Sequence, residues 1–342
     1  MTPSAPLAVT FGEPAGIGPD ITLLAWLARA KHTLSPFYVI ADPEALARRA
    51  TALGLSVPIA EATPENAASK FNTALPVVPL GLPATAEPGK PDDSSAPAAI
   101  LSIRRAVDDV IAGRASAVVT NPVAKNVLYR AGFPHPGHTE FLEQLAREKA
   151  AGPARSVMMI WSPELAVVPV TIHQPLRDVA ETLTTPMIVE IGRIVARDLR
   201  QRFGIARPRL WVAGLNPHAG EDGTIGGDDL AVIAPAVRQL VKDGIDARGP
   251  LPADTMFHAP ARVQYDAALC MYHDQALIPV KTLAFDHAVN VTLGLPFVRT
   301  SPDHGTAFAV AGSGRANPTS FIEAVKLAER LAQHAPQRAV TA

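Results

Sequence analysis

One cysteine, Cys270, is all the chain contains, so no disulfide can close within a single copy, and the sequence fits a reducing, cytoplasmic setting. Its place inside an apolar run marks it as a small core residue rather than a nucleophile. An excess of either charge is also missing: 31 Lys and Arg face 32 Asp and Glu, a formal net charge of −1. That balance argues against a broad nucleic-acid face and a polybasic membrane anchor. No run of about eighteen apolar residues occurs, and the opening MTPSAPLAVTFG lacks the basic and apolar regions of a secretory signal. Neither a membrane span nor export is expected. A Rossmann fingerprint is absent as well, because the third glycine of GxGxxG falls at Ile21. No short metal motif such as HExxH and no internal repeat is found.

What is present is a large apolar fraction, 48% of 342 residues, enough to bury the cores of two domains. Short apolar runs alternate with segments of helical spacing. Strands are expected at Pro6 to Phe11, Phe37 to Ala41, Leu75 to Leu80, Ala115 to Thr120, Leu165 to Ile172, Leu210 to Leu215 and Ala267 to Tyr272. Helices are expected from near Asp20, over Pro43 to Leu53, with Ser95 or Ala96 as cap and Pro97 in the first turn, after Thr185 as cap, from Leu230 to Gly244 with a kink at Pro235, and after Asn317 as cap. Gly81 to Pro97 and the acidic AGEDGTIGGDD after His218 read as surface loops. The alternation is the signature of an α/β fold with much parallel sheet.

The densest chemistry lies between Asp266 and Phe308. Ala267 to Tyr272 has strand length, so His273 and Asp274 fall where a buried strand opens into a loop, the place where ligands bind in open α/β sheets. The same arrangement occurs twice more: His173 follows LAVVPVTI, and His218 follows LWVAGLNP. Three strand exits each carry one histidine. Neutral imidazoles on three rigid elements can hold a divalent cation and leave a position open, as catalytic sites do. On spacing alone, a histidine after a strand is more often a capping or hydrogen-bonding residue.

Other segments admit two readings. The turn Gly12 to Pro19, which includes Gly16 and Gly18, enters a helix and suits either a phosphate group or a tight connection without a ligand. PHPGHTEFL places His138 and Thr139 at a helix start, as anion ligands or as simple caps. Lys125 reads as an anion contact or an exposed helix lysine.

Taken in order, GEPAGIGPD, PGHTEFL, VTIHQPLRDV, LNPHAGEDG, MYHDQALIPVK and VNVTLGLPFVRTSPDHGTA resemble the signatures of the 4-hydroxythreonine-4-phosphate dehydrogenases (PdxA) of vitamin B6 biosynthesis. The first segment departs slightly, since the family more usually reads GDPAGIGPE and this chain has Glu13 and Asp20. The resemblance implies a two-domain isocitrate/isopropylmalate dehydrogenase-like fold with the active site in the interdomain cleft. One domain would take residues 1–132 and 294–342, the other residues 133–293. It implies a divalent ion (zinc, magnesium or cobalt) on His173, His218 and His273, in homodimers where the last histidine comes from the partner subunit. Substrate would be held by His138, Thr139, Lys281, Asn290 and Arg299.

DHGTA resembles the turn that holds the dinucleotide in this superfamily, making Asp303, His304, Gly305 and Thr306 cofactor-binding candidates beside Gly16 and Gly18. The implied reaction is NAD- or NADP-dependent oxidation of 4-phosphohydroxy-L-threonine, with His138, Asp254 and Lys281 as candidate acid-base groups. A dehydrogenase of the same fold acting on 4-phosphorylated erythronate or threonate is the near alternative. A three-histidine metal lyase or hydrolase without a dinucleotide is an alternative of another class, and a non-catalytic binding protein is a third.

Overall fold

The computed structural model describes residues 5–135, 137–149 and 155–335. They form two compact units, the first up to Ser156 with Leu295–Gln333, the second Val157–Gly294. The division differs from the expected break after residue 132. The helix His138–Lys149 buries Phe141, Leu142 and Leu145 within the first unit, and its Lys149 pairs with Asp108 of the helix Ser95–Ile111.

The strands are β1 (Leu7–Thr10), β2 (Phe37–Ala41), β3 (Ile59–Glu61), β4 (Leu75–Pro79), β5 (Val118–Val119), β6 (Val157–Trp161), β7 (Ala166–Pro169), β8 (Arg209–Ala213), β9 (Asp246–Leu251), β10 (Ala267–Cys270), β11 (Val289–Leu293) and β12 (Arg299–Pro302). In the first unit the order is β3-β4-β2-β1-β5-β12, parallel throughout. In the second it is β11-β6-β7-β10-β8-β9. There β7, β10, β8 and β9 run parallel, and β6 pairs antiparallel with both β11 and β7. Strands buried on both faces explain the continuous apolar runs: FYVIA of β2 and AALC of β10 are buried at every position. Strands β3, β6, β9, β11 and β12 and the helices Pro64–Lys70 and Leu176–Thr182 are among the elements additional to those expected. β3 is a half-exposed edge strand, so no apolar pattern announces it.

Local chemistry sets the helix ends. Asp42 caps the helix Pro43–Ala52 by accepting the Glu44 N–H at 3.0 Å. The cap of Thr185–Gln201 is Thr184 rather than Thr185, its hydroxyl facing the Met187 N–H. Pro235 stands in the first turn of Ala234–Lys242, where a missing N–H costs nothing, and the preceding turn Asp229–Ile233 is a π-helix. Among the described residues no helix is long and apolar enough to cross a membrane.

The first unit's core encloses a polar cluster at Tyr38. The Tyr38 hydroxyl donates to Asp109 at 2.7 Å, and the same carboxylate accepts from Arg114 at 2.9 Å. Burial and the neighbouring carboxylate push the Tyr38 pKa far up, so the phenol stays a donor at any ordinary pH. Tyr38→Phe removes one bond to a buried charged group. Urea denaturation is expected to show a loss of about 1.5–3 kcal/mol, with the fold retained.

Candidate active site

Because β7, β10 and β8 are adjacent and parallel, their carboxyl ends line one edge of the second unit's sheet. His173, His218 and His273 all lie beyond that edge. His273 opens the helix His273–Ala284, so the strand leads into a helix and not the expected loop. Its Nδ1 sits 2.7 Å from Asp274 Oδ1, a contact that orients the ring. The ring centres of His173 and His273 are 5.9 Å apart. Both line a cavity of about 560 Å³ together with Thr171, Gln174, Leu176 and Ile278. His218 is not among its walls. Among the described residues no group of three His, Cys, Asp or Glu closes on one point. Within one chain, therefore, two imidazoles meet and the third donor expected from sequence does not join them.

The backbone at these histidines is unusual. His173 has φ 42°, and from His218 to Asp222 five consecutive residues hold left-handed angles, φ 53°, 54°, 77°, 44° and 54°. Left-handed helical geometry costs an L-residue about 1–2 kcal/mol, and such strain persists only where the surroundings over-determine it. The determinant here is Asp229, fully buried, which accepts the N–H groups of Leu215 (2.8 Å) and Asn216 (3.1 Å) and the Asn216 side-chain amide (3.0 Å). A segment read from sequence as a flexible acidic loop is thus wound around a buried carboxylate. Nothing in AGEDGTIGGDD distinguishes Asp229 from its solvated neighbours.

Two sequence-derived residues, His138 and Arg299, converge in the first unit. Arg299, the first residue of β12, is 3% exposed, and its Nε and Nη2 both donate to Thr120 Oγ1, at 3.1 and 2.6 Å. Burial lowers its pKa to about 10. His138 opens the helix His138–Lys149, followed by Thr139, while Pro136 of the same segment lies outside the described residues. The His138 Nε2 is buried and has no hydrogen-bond partner. Burial first, and then the Arg299 charge, hold the imidazole well below its usual pKa of 6.5, hence neutral. Lys281 and Asn290 belong to the second unit. Lys281 extends toward the Phe285 ring at 5.6 Å, and Asn290 on β11 keeps a buried Oδ1 without a partner. Asp254 lies exposed in the turn Ala253–Thr255.

The glycine turn and the DHGTA segment also meet. Ile17 N–H donates to Thr306 O at 2.9 Å. A side chain on Gly16 would come within 3.0 Å of that same oxygen, and one on Gly18 within 3.0 Å of Phe11 O. Around Gly305 there is open space. Asp303 N–H is held by Ser320 Oγ at 3.0 Å, and His304 Nδ1 lies 3.1 Å from Gly305 O. Two buried ions fix the turn. Arg49 donates to Gly16 O and Pro14 O, each at 2.9 Å, and pairs with Asp20, which in turn accepts Gly312 N–H at 2.7 Å. Glu13 accepts Ala15 N–H at 3.0 Å, and burial raises its pKa. Arg49 gave no sequence signal because it sits in a helix of ordinary alternating charge.

The fold of the chain is that of a class of solved dehydrogenases. The chain superimposes on a 4-hydroxythreonine-4-phosphate dehydrogenase from Klebsiella pneumoniae with a TM-score of 0.84 and 35% identity, covering 97% of this chain and 99% of that one. A terephthalate 1,2-cis-dihydrodiol dehydrogenase from Burkholderia xenovorans matches less closely, at 0.64 and 26% identity over 95% and 98% of the two chains. The chain belongs to the PdxA family: the model of the pyridoxal phosphate biosynthetic protein PdxA matches residues 32–328. A 4-hydroxythreonine-4-phosphate dehydrogenase of Bradyrhizobium diazoefficiens is 63% identical over 335 residues, 96% of this chain and 97% of that protein.

His138 yields a pH prediction. Its folded pKa lies below the ordinary 6.5, so between those two values the unfolded chain binds more protons and stability rises with pH. The contribution is complete above 6.5 and is lost as pH falls through that window. Unfolding free energies measured from about pH 7 down to about pH 5 are expected to decline more steeply for the native sequence than for His138→Asn.

Proposed function

We propose that the chain is an NAD- or NADP-dependent 4-hydroxythreonine-4-phosphate dehydrogenase of pyridoxal 5'-phosphate biosynthesis. The observation that carries this is 63% identity, over nearly the whole length of both chains, to a relative of that name. The reaction oxidises the hydroxyl of 4-phosphohydroxy-L-threonine. A hydride passes to the dinucleotide, and the resulting β-keto acid loses carbon dioxide to give 3-amino-1-hydroxyacetone 1-phosphate.

In this reading His138, Thr139 and Arg299 of the first unit, with Lys281 and Asn290 of the second, hold the substrate. Arg299 supplies a forked cation for the phosphate or carboxylate. His138, kept neutral beside it, serves as a hydrogen-bonding partner and not as a second cation. The proton of the reacting hydroxyl is left to His138, Lys281 or Asp254. The unpartnered Asn290 Oδ1 supports that residue as an acceptor for a substrate N–H or O–H. The turn carrying Gly16 and Gly18, joined to Asp303, His304, Gly305 and Thr306, takes the dinucleotide, with the open space at Gly305 allowing close backbone approach.

His173, His218 and His273 are donors of the kind that suit zinc or cobalt, with magnesium tolerated in the family. A bound divalent ion supplies Lewis acidity at the substrate hydroxyl and at the carbonyl formed from it. Following the family resemblance, we assign His173 and His218 to one copy and His273 to the other in a homodimer, although within one chain it is His173 and His273 whose rings lie near each other. Support comes from the cavity rim, where Leu176 and Ile278 leave 66% and 64% of their surfaces exposed beside the histidine pair.

The decisive assay is nicotinamide reduction with 4-phosphohydroxythreonine. Turnover only of 4-phosphoerythronate or 4-phosphothreonate rejects the amino substrate, and calorimetry without dinucleotide binding rejects the dehydrogenase. His218→Ala and His273→Ala are each expected to be inactive alone. Co-refolded, they are expected to recover about a quarter of native activity, because about half of randomly assorted dimers are mixed and each mixed dimer has one intact site. Failure to recover removes the shared site.

A further inference from the structure

We propose that Thr120 is a positioning residue for substrate binding: its hydroxyl fixes the plane of the Arg299 guanidinium, so that this cation meets the substrate's anionic group in one orientation. The inference rests on the assignment of Arg299 to the substrate. Thr120 opens the segment TNPVAK, which no part of the proposed reaction has otherwise used.

The strands place the two residues side by side. β5 and β12 pair in parallel with Arg299 opposite Val118 and Thr300 opposite Val119. The Thr120 N–H donates to Thr300 O at 2.9 Å, so Thr120 continues the ladder two positions past Val118, the residue opposite Arg299, and on the same face as it. Thr120 is fully buried, and Arg299 is 3% exposed. One oxygen, Thr120 Oγ1, accepts from both Nε at 3.1 Å and Nη2 at 2.6 Å. Those two N–H groups lie on one edge of the planar guanidinium, and a single acceptor that satisfies both must lie in its plane. Rotation of the fork is thereby stopped at the end facing the strand.

A hydroxyl suits this task better than a carboxylate would. It anchors the edge through two charge-assisted bonds without cancelling the charge that recognises an anion. Both hydroxyl lone pairs are engaged, so its own hydrogen turns away from the cation.

The test compares Thr120→Val, Thr120→Ala and Thr120→Ser in the full-length protein, with KM for 4-phosphohydroxythreonine and for the dinucleotide measured separately, and with melting temperatures. Valine keeps the β-branched shape and removes the acceptor, alanine removes it with less volume, and serine retains it. Substrate KM is expected to rise ~10-fold or more in the valine and alanine variants, the value of a bond to a charged group. Dinucleotide KM stays within about twofold, and serine restores substrate KM to within about threefold. An unchanged substrate KM in both variants overturns the proposal. So does a parallel rise of both KM values with a fall in melting temperature that serine fails to repair, which is the signature of a purely structural role. Arg299→Met separates the two layers. If it leaves substrate KM unchanged, the assignment of Arg299 fails; if it raises substrate KM while Thr120→Val does not, only the positioning role fails.

Discussion

Parallel pairing in register is the constraint from which the rest of the structure follows. In the second unit Cys270 stands opposite Pro169 and Leu269 opposite Val212, so β7, β10 and β8 finish level with one another. Residues that follow those strands must then share an edge, however far apart they are in sequence. In the first unit β1, β5 and β12 obey the same rule, with Val9 opposite Val119 and Thr300 opposite Val119 on its other side. The glycine turn after β1, Thr120 after β5 and the DHGTA segment after β12 therefore meet at a single edge. An α/β sheet needs no catalytic reason to do this, but once it does, chemistry accumulates where the strands end.

Such an edge is also where backbone groups lose their sheet partners, and buried charge takes over from the ladder. Asp20 with Arg49 in one unit and Asp229 in the other perform the same service: a carboxylate without solvent collects backbone N–H groups from segments that no strand would align. Burying such groups carries a desolvation penalty of several kcal/mol per ion, which only full hydrogen bonding offsets. Their value is geometric. They make a left-handed turn at His218 and a tight glycine turn at Gly16 the lowest-energy conformation of those segments, so the functional side chains are set before any ligand arrives.

The parts of this arrangement that were legible in the sequence are those with a period or a strong local signal. Phe37–Ala41 reads as a strand because it is apolar at every position, and the histidines after three such runs stand out by their place. Asn317 marks the final helix because its side chain accepts the Thr319 N–H at 3.0 Å. What could not be read depends on partners distant in sequence. Asp229 looks like one more acid in a glycine-rich loop until its three donors are seen. Thr120 is an ordinary strand residue until Arg299, 179 positions later, is laid beside it. β6, spelled VMMIW, carries two methionines that favour no strand, and it exists because β11 and β7 flank it.

The departure of this chain from the more usual family pattern at positions 13 and 20 gains a physical sense from the same reasoning. Where the family more often has Asp and then Glu, the methylene has moved from the second acid to the first. Glu13 still reaches round to the Ala15 N–H within its own turn, and the shorter Asp20 still spans Arg49 and Gly312. Both carboxylates are buried against one turn, at 2% and 0% exposure. Changing either length alone would leave a buried N–H or guanidinium short of its acceptor, a loss of about 1–3 kcal/mol or more. The two carboxylates thus anchor one turn from different sides, Glu13 from within it and Asp20 through Arg49, which donates to Gly16 O and Pro14 O.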